Sequence, residues 1–166
     1  TKEMKTKEMK TKPVTFLLSL TFLFLFSGSV FGDDFQDGVD AHERKDYKTA
    51  YQLWLPLAQK GDAGAQTNLG FMYSEGRGVP QDYKEAIKWF RLAAEQGVAL
   101  AQYNLASMYS NGLGVPQDYK EAVRLYHLAA EQGDEFAQSN LGLMYSNGQG
   151  VPQDYVSAHM WFNLSG

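Results

Sequence analysis

The stretch GRGVPQDYKEA at residues 76–86 decides how this sequence folds. Its central part, GVPQDY, begins at Gly78 and returns at Gly114 and Gly150, which sets a repeat period of 36 residues. A glycine-rich turn that opens a helix can bind phosphate through free backbone N–H groups. The same turn can instead join two helices, and the neighbouring residues decide between these two interpretations.

Those residues favour a turn between helices. Gly76 and Gly78 permit backbone angles that other residues avoid, and Pro80 prevents the turn from continuing as helix. Asp82 is predicted to be the N-cap of the next helix, with Glu85 completing a capping box. The pair recurs as Asp118 with Glu121 and, in half-complete form, as Asp154 with Ser157. A carboxylate at this helix terminus would repel a phosphate.

The residues on both sides of the turn repeat with it and show helical periodicity. Ala65, Leu69 and Met72 form one apolar stripe before the turn, and a second stripe runs from Tyr83 to Ala94 after it. Gly76 and Gly97 are predicted to end these two helices. Each unit is therefore a helix pair, and tandem units of this length form a solenoid with a shared core.

The repeats define the domain organisation. The sequence predicts an all-α solenoid with repeats at residues 62–97, 98–133 and 134–166, preceded by a half or capping repeat at 33–61. In that half repeat, Phe35–Lys45 is predicted to form a shortened first helix. The last repeat ends at AHMWFNLSG, which indicates either a truncated chain or an end without the polar cap that solenoids need.

Residues 1–32 are predicted to be a secretory signal peptide. Residues 1–12 contain five lysines, residues 14–26 are almost entirely apolar, and small residues precede a predicted cleavage point before Asp33. The apolar run is short for a membrane span, and a retained membrane anchor is the alternative. Met4 or Met9 could be the true start. We therefore expect a periplasmic or secreted protein.

Composition excludes several kinds of chemistry. The chain has no cysteine, which excludes disulfides and thiolate sites. After residue 32 it carries 10 basic and 17 acidic residues, a net charge of −7, which argues against nucleic-acid binding. Its histidines, His42, His127 and His159, match no metal-binding spacing. We expect no metal, no cofactor and no catalytic residues.

The pattern AQxNLGxMYxxGxGVPQDYxxA, followed by WFxLAAEQG, resembles the Sel-one-like repeat (SLR) family, a relative of the tetratricopeptide repeat. The resemblance covers nearly all of residues 33–166. It implies a right-handed α/α superhelix whose first helices line a concave face, in proteins that act as adaptors for other proteins or peptides. Some secreted members are described as β-lactamase-like, but the chain has no Ser-x-x-Lys.

Three asparagines at one repeat position, Asn68, Asn104 and Asn140, are candidates for partner binding. Asparagine is a mediocre helix former, so something other than local propensity must place it in the first helix. A row of amides could bind the backbone of an extended peptide. Alternatively, each amide could bind the turn of a neighbouring repeat, and the two roles are compatible.

Two variable positions on the same helices are further candidates for the concave face. One is occupied by Thr67, Tyr103 and Ser139, and the other by Phe71, Ser107 and Leu143. Invariant positions serve stacking, whereas variable ones are free to specify a partner. Tyr103 is predicted to be an exposed aromatic and a binding hot spot.

These observations predict a non-catalytic scaffold that binds a protein or an extended peptide, with membrane contact only through an uncleaved signal segment. Two other functions stay open: a β-lactamase-like or cell-wall-active hydrolase, and structural support of a membrane-associated complex.

Overall fold

The computed structural model describes residues 30–165, with side chains from residue 34 onward, and this part of the chain consists of helices and turns. The predicted signal peptide lies almost wholly outside these residues. One compact unit spans Asp34–Gly166. The helices are α1 (Val30–Glu43), α2 (Tyr47–Gln59), α3 (Ala63–Glu75), α4 (Tyr83–Glu95), α5 (Ala99–Asn111), α6 (Tyr119–Ala130), α7 (Glu135–Asn147) and α8 (Tyr155–Leu164).

These helices confirm the predicted all-α solenoid of helix pairs. Each pair of consecutive helices from α2 to α8 packs together, and α3 also contacts α5 directly. We call α1, α3, α5 and α7 the first-helix layer, and α2, α4, α6 and α8 the second-helix layer. The core between the layers consists of small and large apolar residues that recur at repeat positions, including Ala65, Leu69, Met72, Ala86 and Phe90.

The glycine-rich turn ends one helix and begins the next as predicted. Gly76 has φ 70° and caps α3 in the left-handed conformation, where its N–H donates to the carbonyl of Met72. Asp82 then accepts the N–H groups of Lys84 (2.9 Å) and Glu85 (3.2 Å) at the start of α4. An N-cap of this kind contributes about 0.5–2 kcal/mol. The arrangement recurs at Gly112 with Asp118 and at Gly148 with Asp154.

The predicted capping box is wrong in its second half. The N–H of Asp82, which Glu85 was expected to accept, donates instead to the carbonyl of Tyr73 at 2.9 Å. The Glu85 carboxylate accepts from Lys88 one turn further on. Because the turn folds back onto α3, the N–H of the N-cap residue Asp82 already has an acceptor. Glu85 is therefore not needed for capping and can pair with Lys88. Asp118 and Asp154 donate in the same way to the carbonyls of Tyr109 and Tyr145.

The second glycine of each turn lies against the preceding repeat. A methyl group at Gly114 would come within 2.7 Å of Tyr83 Cβ and 2.8 Å of its carbonyl carbon, at the start of α4. Gly114 also has φ 73°, a conformation that L-residues with side chains adopt at a cost. The same contact joins Gly78 to Tyr47 and Gly150 to Tyr119. The turn is therefore a contact between repeats as well as a link within one.

Buried glutamines join successive repeats by hydrogen bonds. Gln66 donates from Nε2 to the carbonyl of Ala58 (3.0 Å), and its Oε1 accepts from Gln96 Nε2 (2.8 Å). The next repeat contains the same arrangement, formed by Gln102, Ala94 and Gln132. In the last repeat Gln138 Nε2 donates to Ala130, but its buried Oε1 has no partner within the described residues.

The first helix is not shortened, which corrects the expectation for Phe35–Lys45. Helix α1 has 14 residues and ends at Glu43, because Lys45 adopts a left-handed conformation (φ 64°) that breaks the helix. A short turn at residues 44–46 leads to α2, whose N-cap Asp46 accepts the N–H of Thr49. This repeat therefore has a full helix pair with a shorter connection.

The last helix differs from its counterparts in surface chemistry. Helix α8 contains no Asp, Glu, Lys or Arg. Val156 and Met160 are exposed where α4 carries Lys84 and Lys88. The exposed surface of α8 is thus largely apolar.

We expect Gly114→Ala to destabilise the protein by about 2–4 kcal/mol, since it adds a clash with the α4 backbone to the cost of positive φ. Gly133→Ala is the matched control, because Gly133 also has positive φ (90°) but no atom lies near its added methyl group. That variant should lose only about 1–2 kcal/mol. Urea unfolding of both measures the difference, and equal losses would show that the inter-repeat contact contributes nothing.

Candidate binding site

A cavity of about 340 Å³ opens between α1 and α3 in the first-helix layer. Its lining comes from three helices and the first glycine-rich turn: Val39, His42, Trp54, Asn68, Phe71, Met72, Glu75 and Arg77. The predicted candidates Asn68 and Phe71 lie together in this lining, and both are half-buried.

Aromatic packing holds the walls of the cavity in place. Trp54 is buried, its indole N–H donates to the carbonyl of Phe35 at 3.2 Å, and its ring lies 5.7 Å from that of His42. Phe71 packs edge to face on Phe90 of α4, with ring centroids 5.2 Å apart. Such pairs stabilise fixed ring positions. The cavity therefore has rigid, largely apolar walls.

Polar groups surround the mouth of this cavity. Glu75 and Arg77 form an exposed ion pair at 2.6 Å, and the Arg77 guanidinium also lies 5.7 Å from the centre of the Tyr47 ring. The Asn68 side chain makes no hydrogen bond within residues 30–165. Of the three predicted asparagines, Asn68 is thus the one whose amide donors and acceptor are all available to a ligand.

The other two asparagines are tied to their own helices. Asn104 Nδ2 donates to the carbonyl of Leu100 (2.7 Å), and Asn140 Nδ2 donates to that of Phe136 (2.8 Å). Both carbonyls lie one turn earlier in the same helix, so the expected bond to the turn of a neighbouring repeat is not formed. Each amide keeps its oxygen for a ligand, and the three asparagines are not equivalent donors.

Tyr103 is half-buried, which corrects its prediction as an exposed aromatic. Its ring packs 5.7 Å from that of Tyr126 and 6.0 Å from that of Phe136. Burial raises the pKa of Tyr126 to about 12, with the hydroxyl of Tyr103 adding to the shift. Tyr103 therefore contributes to packing between the second and third repeats, and only part of its ring faces solvent.

The remaining candidates differ in how much surface they expose. Thr67 is only 5 % exposed, and its hydroxyl donates to the carbonyl of Ala63, so it is not available to a partner. Ser107 and Ser139 are half-buried, and Ser107 accepts from Asn111. Leu143 is 51 % exposed. The cavity thus includes two of the nine predicted residues, and the others lie elsewhere on the same helices or in the core.

A larger cavity, of about 500 Å³, lies between α4, α5 and α6. Three of the charged groups in its lining already have partners. Arg124 binds Glu121 through two hydrogen bonds, and Arg91 donates to the hydroxyl of Tyr109. These pairs leave little binding capacity, so the smaller apolar cavity is the stronger candidate.

Sequence reasoning missed the α1 side of the site. The missed residues belong to the half repeat: Val39, His42 and Trp54. This unit lacks the glycine-rich turn by which the other units were compared. The only available signal was the helical spacing of Phe35, Val39 and His42, which places them on adjacent turns of α1. Between residues 30 and 165 no group of three or more His, Cys, Asp or Glu could hold a metal ion, and none of the helices in that range could cross a membrane.

The paired helices, the shared core and the groove between first helices define a solenoid of helix-turn-helix repeats. The family profile of the Sel1 repeat matches residues 35–62, 63–98, 99–134 and 136–166. The chain therefore belongs to the Sel1 repeat family, whose proteins are generally scaffolds for protein–protein interaction. This confirms the resemblance drawn from the sequence.

Two solved structures resemble this chain. One is a Sel1 repeat protein from Oxalobacter formigenes (32 % identity, TM-score 0.75). The match covers 80 % of this chain and 53 % of the Oxalobacter chain. The other is c5321, a protective antigen present in uropathogenic Escherichia coli strains that displays an SLR fold (36 % identity, TM-score 0.80), with 89 % of this chain and 32 % of its own covered. The chain thus spans about half and one third of these proteins. No curated protein matches it significantly.

A histidine connects the second and third repeats. His127 Nε2 lies 3.2 Å from the hydroxyl of Tyr145, and the His127 ring packs edge to face on Trp161 at 5.2 Å. Burial lowers the pKa of His127, and the negative charge of Glu131 partly opposes this. The neutral imidazole is therefore the form that suits the folded state.

We expect the melting temperature to fall as the pH is lowered from about 7.5 to about 5.5. Below a pKa of about 6.5 the unfolded chain takes up a proton on His127, whereas the folded state disfavours that proton, so acid favours unfolding. Thermal unfolding monitored by circular dichroism measures the effect. His127→Gln should show a smaller fall over this range, and His159→Gln, at an exposed histidine, is the control. A pH dependence that is unchanged in His127→Gln would contradict the assignment.

Proposed function

We propose that this protein is a non-catalytic scaffold that is exported from the cytoplasm and binds an extended segment of a protein partner on its first-helix layer. The scaffold role follows from the family, whereas the binding face, the form of the ligand and the export are our proposal. The observation that carries it is the cavity between α1 and α3, with apolar walls and the unoccupied amide of Asn68.

The cavity suits an anchoring side chain of the partner. Fully desolvated pockets that receive one large apolar side chain supply much of the affinity of protein interfaces. The rings of Trp54 and Phe71 are already held in place, so they lose little conformational entropy on binding. The entropy cost that opposes the binding free energy is therefore small at these residues. An aromatic or branched aliphatic side chain is the group that this cavity would take.

The amide of Asn68 suits the backbone next to that anchor. Its oxygen can accept a peptide N–H and its nitrogen can donate to a carbonyl, which fixes an extended segment independently of sequence. On α5 and α7, Asn104 and Asn140 offer an amide oxygen each, and Leu143 offers exposed apolar surface. An extended segment is therefore favoured over a compact ligand.

Peptides selected from a phage-displayed random library on the purified protein should bind with a Kd in the micromolar range, as expected for one anchored segment. Asn68→Trp places a bulky ring at the cavity and should weaken binding at least about tenfold in fluorescence polarisation. Leu92→Trp, at an exposed position of α4 in the second-helix layer, is the control and should bind normally. Equal loss in both variants, or no loss in Asn68→Trp, would refute the proposed face.

Export rests on the basic stretch at residues 1–12 and the apolar run at 14–26. Expressed in a bacterial host, the chain should reach the periplasm, and its mass there should match a protein that begins at Asp33. Leu18→Asp combined with Leu20→Asp should block export because charges disrupt the apolar run, while Leu18→Ile should not. Uncleaved wild-type protein in the cytoplasm would contradict export.

A further inference from the structure

A second apolar patch lies on the first-helix layer, away from the cavity. Phe136 of α7 is 70 % exposed, and its ring packs against that of Tyr103 of α5, with centroids 6.0 Å apart. Leu100 is 46 % exposed and lies one turn before Tyr103, on the same side of α5. We call Leu100, Tyr103 and Phe136 the α5–α7 patch. Its central ring is held in place by a neighbouring aromatic side chain.

The α5–α7 patch and the cavity share one face of the solenoid. Phe136 lies one turn before Asn140 in α7, and residues four apart lie on the same side of a helix. The 36-residue repeat relates Asn140 to Asn104 and to Asn68 of the cavity, and equivalent positions of stacked repeats face the same way. An extended segment anchored in the cavity can therefore run along this surface to the patch.

The distance between the cavity and the patch follows from helix packing. The cavity opens between α1 and α3, and the patch joins α5 to α7, so two steps between neighbouring first helices separate them. Helices α3 and α5 contact each other directly. Packed helices lie 8–10 Å apart, which gives a separation of about 16–20 Å.

An extended peptide covers this distance with a definite number of residues. Each residue of an extended chain advances it by about 3.3 Å, so about five or six residues span the separation. Successive side chains point to opposite sides of an extended chain. Only an even separation directs two side chains toward the same surface, and six residues meet both conditions.

The surface between the cavity and the patch is uncharged. Helix α5 contains no Asp, Glu, Lys or Arg. The Asn104 nitrogen donates within its own helix, and its oxygen can accept a peptide N–H. The residues between the two anchors of a bound segment therefore need no charge.

We propose that the bound segment carries two large apolar side chains six residues apart, one in the cavity and the other on the α5–α7 patch. This inference rests on the proposed function and adds the spacing of the partner's anchors. Once the first anchor is bound, binding of the second is intramolecular, which raises the affinity above that of either anchor alone. An aromatic side chain suits the patch because it can pack on the ring of Phe136.

The test uses fluorescein-labelled peptides of about fifteen residues that consist of serine and two phenylalanines. The phenylalanines lie two, six or ten positions apart, which correspond to about 7, 20 and 33 Å in an extended chain. A fourth peptide has a single phenylalanine. In fluorescence polarisation the six-position peptide should bind about tenfold more tightly than the other three. Raising the ionic strength from about 0.05 M to about 0.5 M should change this preference less than about twofold.

Phe136→Ser should reduce the advantage of the six-position peptide to about twofold or less, with little change for the single-anchor peptide. Leu100→Ser removes the other edge of the patch and should act in the same direction. The matched control is Val156→Ser in the same repeat as Phe136, because Val156 is 81 % exposed on α8 in the second-helix layer. This variant should keep the full advantage. Circular dichroism confirms that each variant is folded.

The outcomes separate the two proposals. Equal affinities of the single-anchor and two-anchor peptides, each lost in Asn68→Trp, would overturn the second anchor and leave the binding face intact. Tightest binding at two or ten positions would overturn the spacing. An advantage that persists in both Phe136→Ser and Leu100→Ser would overturn the role of the patch. If none of the peptides binds and the phage library yields no ligand, the proposed function and this inference both fail.

Discussion

The close approach of a glycine in one repeat to the start of the second helix in the repeat before it is the constraint on which the solenoid depends. At Gly114 there is no room for a side chain between the turn and the backbone of Tyr83, and the backbone conformation is also left-handed. Because Gly78 and Gly150 occupy the same kind of contact, the same spacing is imposed at each junction. The stacking of helices, and with it the groove between α1 and α3, follows from that repeated distance.

Hydrogen bonds between buried polar groups fix the same junctions. Gln66 accepts from Gln96 and donates to Ala58, so residues from three successive helices and turns meet at one buried amide. A buried amide without partners would cost about 1–3 kcal/mol. A one-residue slip between repeats would break this arrangement, so the glutamines help to specify the register that apolar packing alone leaves loose.

The two helix layers carry different surface chemistry. Each second helix begins at an aspartate cap. Helices α4 and α6 also present Lys and Arg with Glu on their outer side, as in the Lys88 and Glu85 pair, which suits a solvated surface. First helices have almost no charge beyond α1, and their partly exposed residues are amides, hydroxyls and apolar groups.

Much of the candidate site could not have been found from the repeats. Repeat comparison identified Asn68 and Phe71 correctly as neighbours on one face. It treated Thr67 as equivalent to Tyr103, although one is buried against its own helix and the other packs between aromatic rings. Equivalent positions in a solenoid have equivalent backbones, but their side chains meet different residues in the next unit. His42 and Trp54 were missed because they come from the unit that lacks the aligned turn.

The sequence by itself determined the helix pairs, their period and the turn that joins them, because apolar periodicity, glycine caps and aspartate N-caps act within a few residues of one another. Only the tertiary structure decided what the second glycine and the buried glutamines contact, since both depend on a neighbouring repeat. The N–H of Asp82 is the clearest case. Local capping rules predict that it donates to Glu85, but in the folded turn it donates to the carbonyl of Tyr73 at 2.9 Å. The cavity is likewise tertiary, because its walls come from α1, α2 and α3, which meet only when the repeats stack.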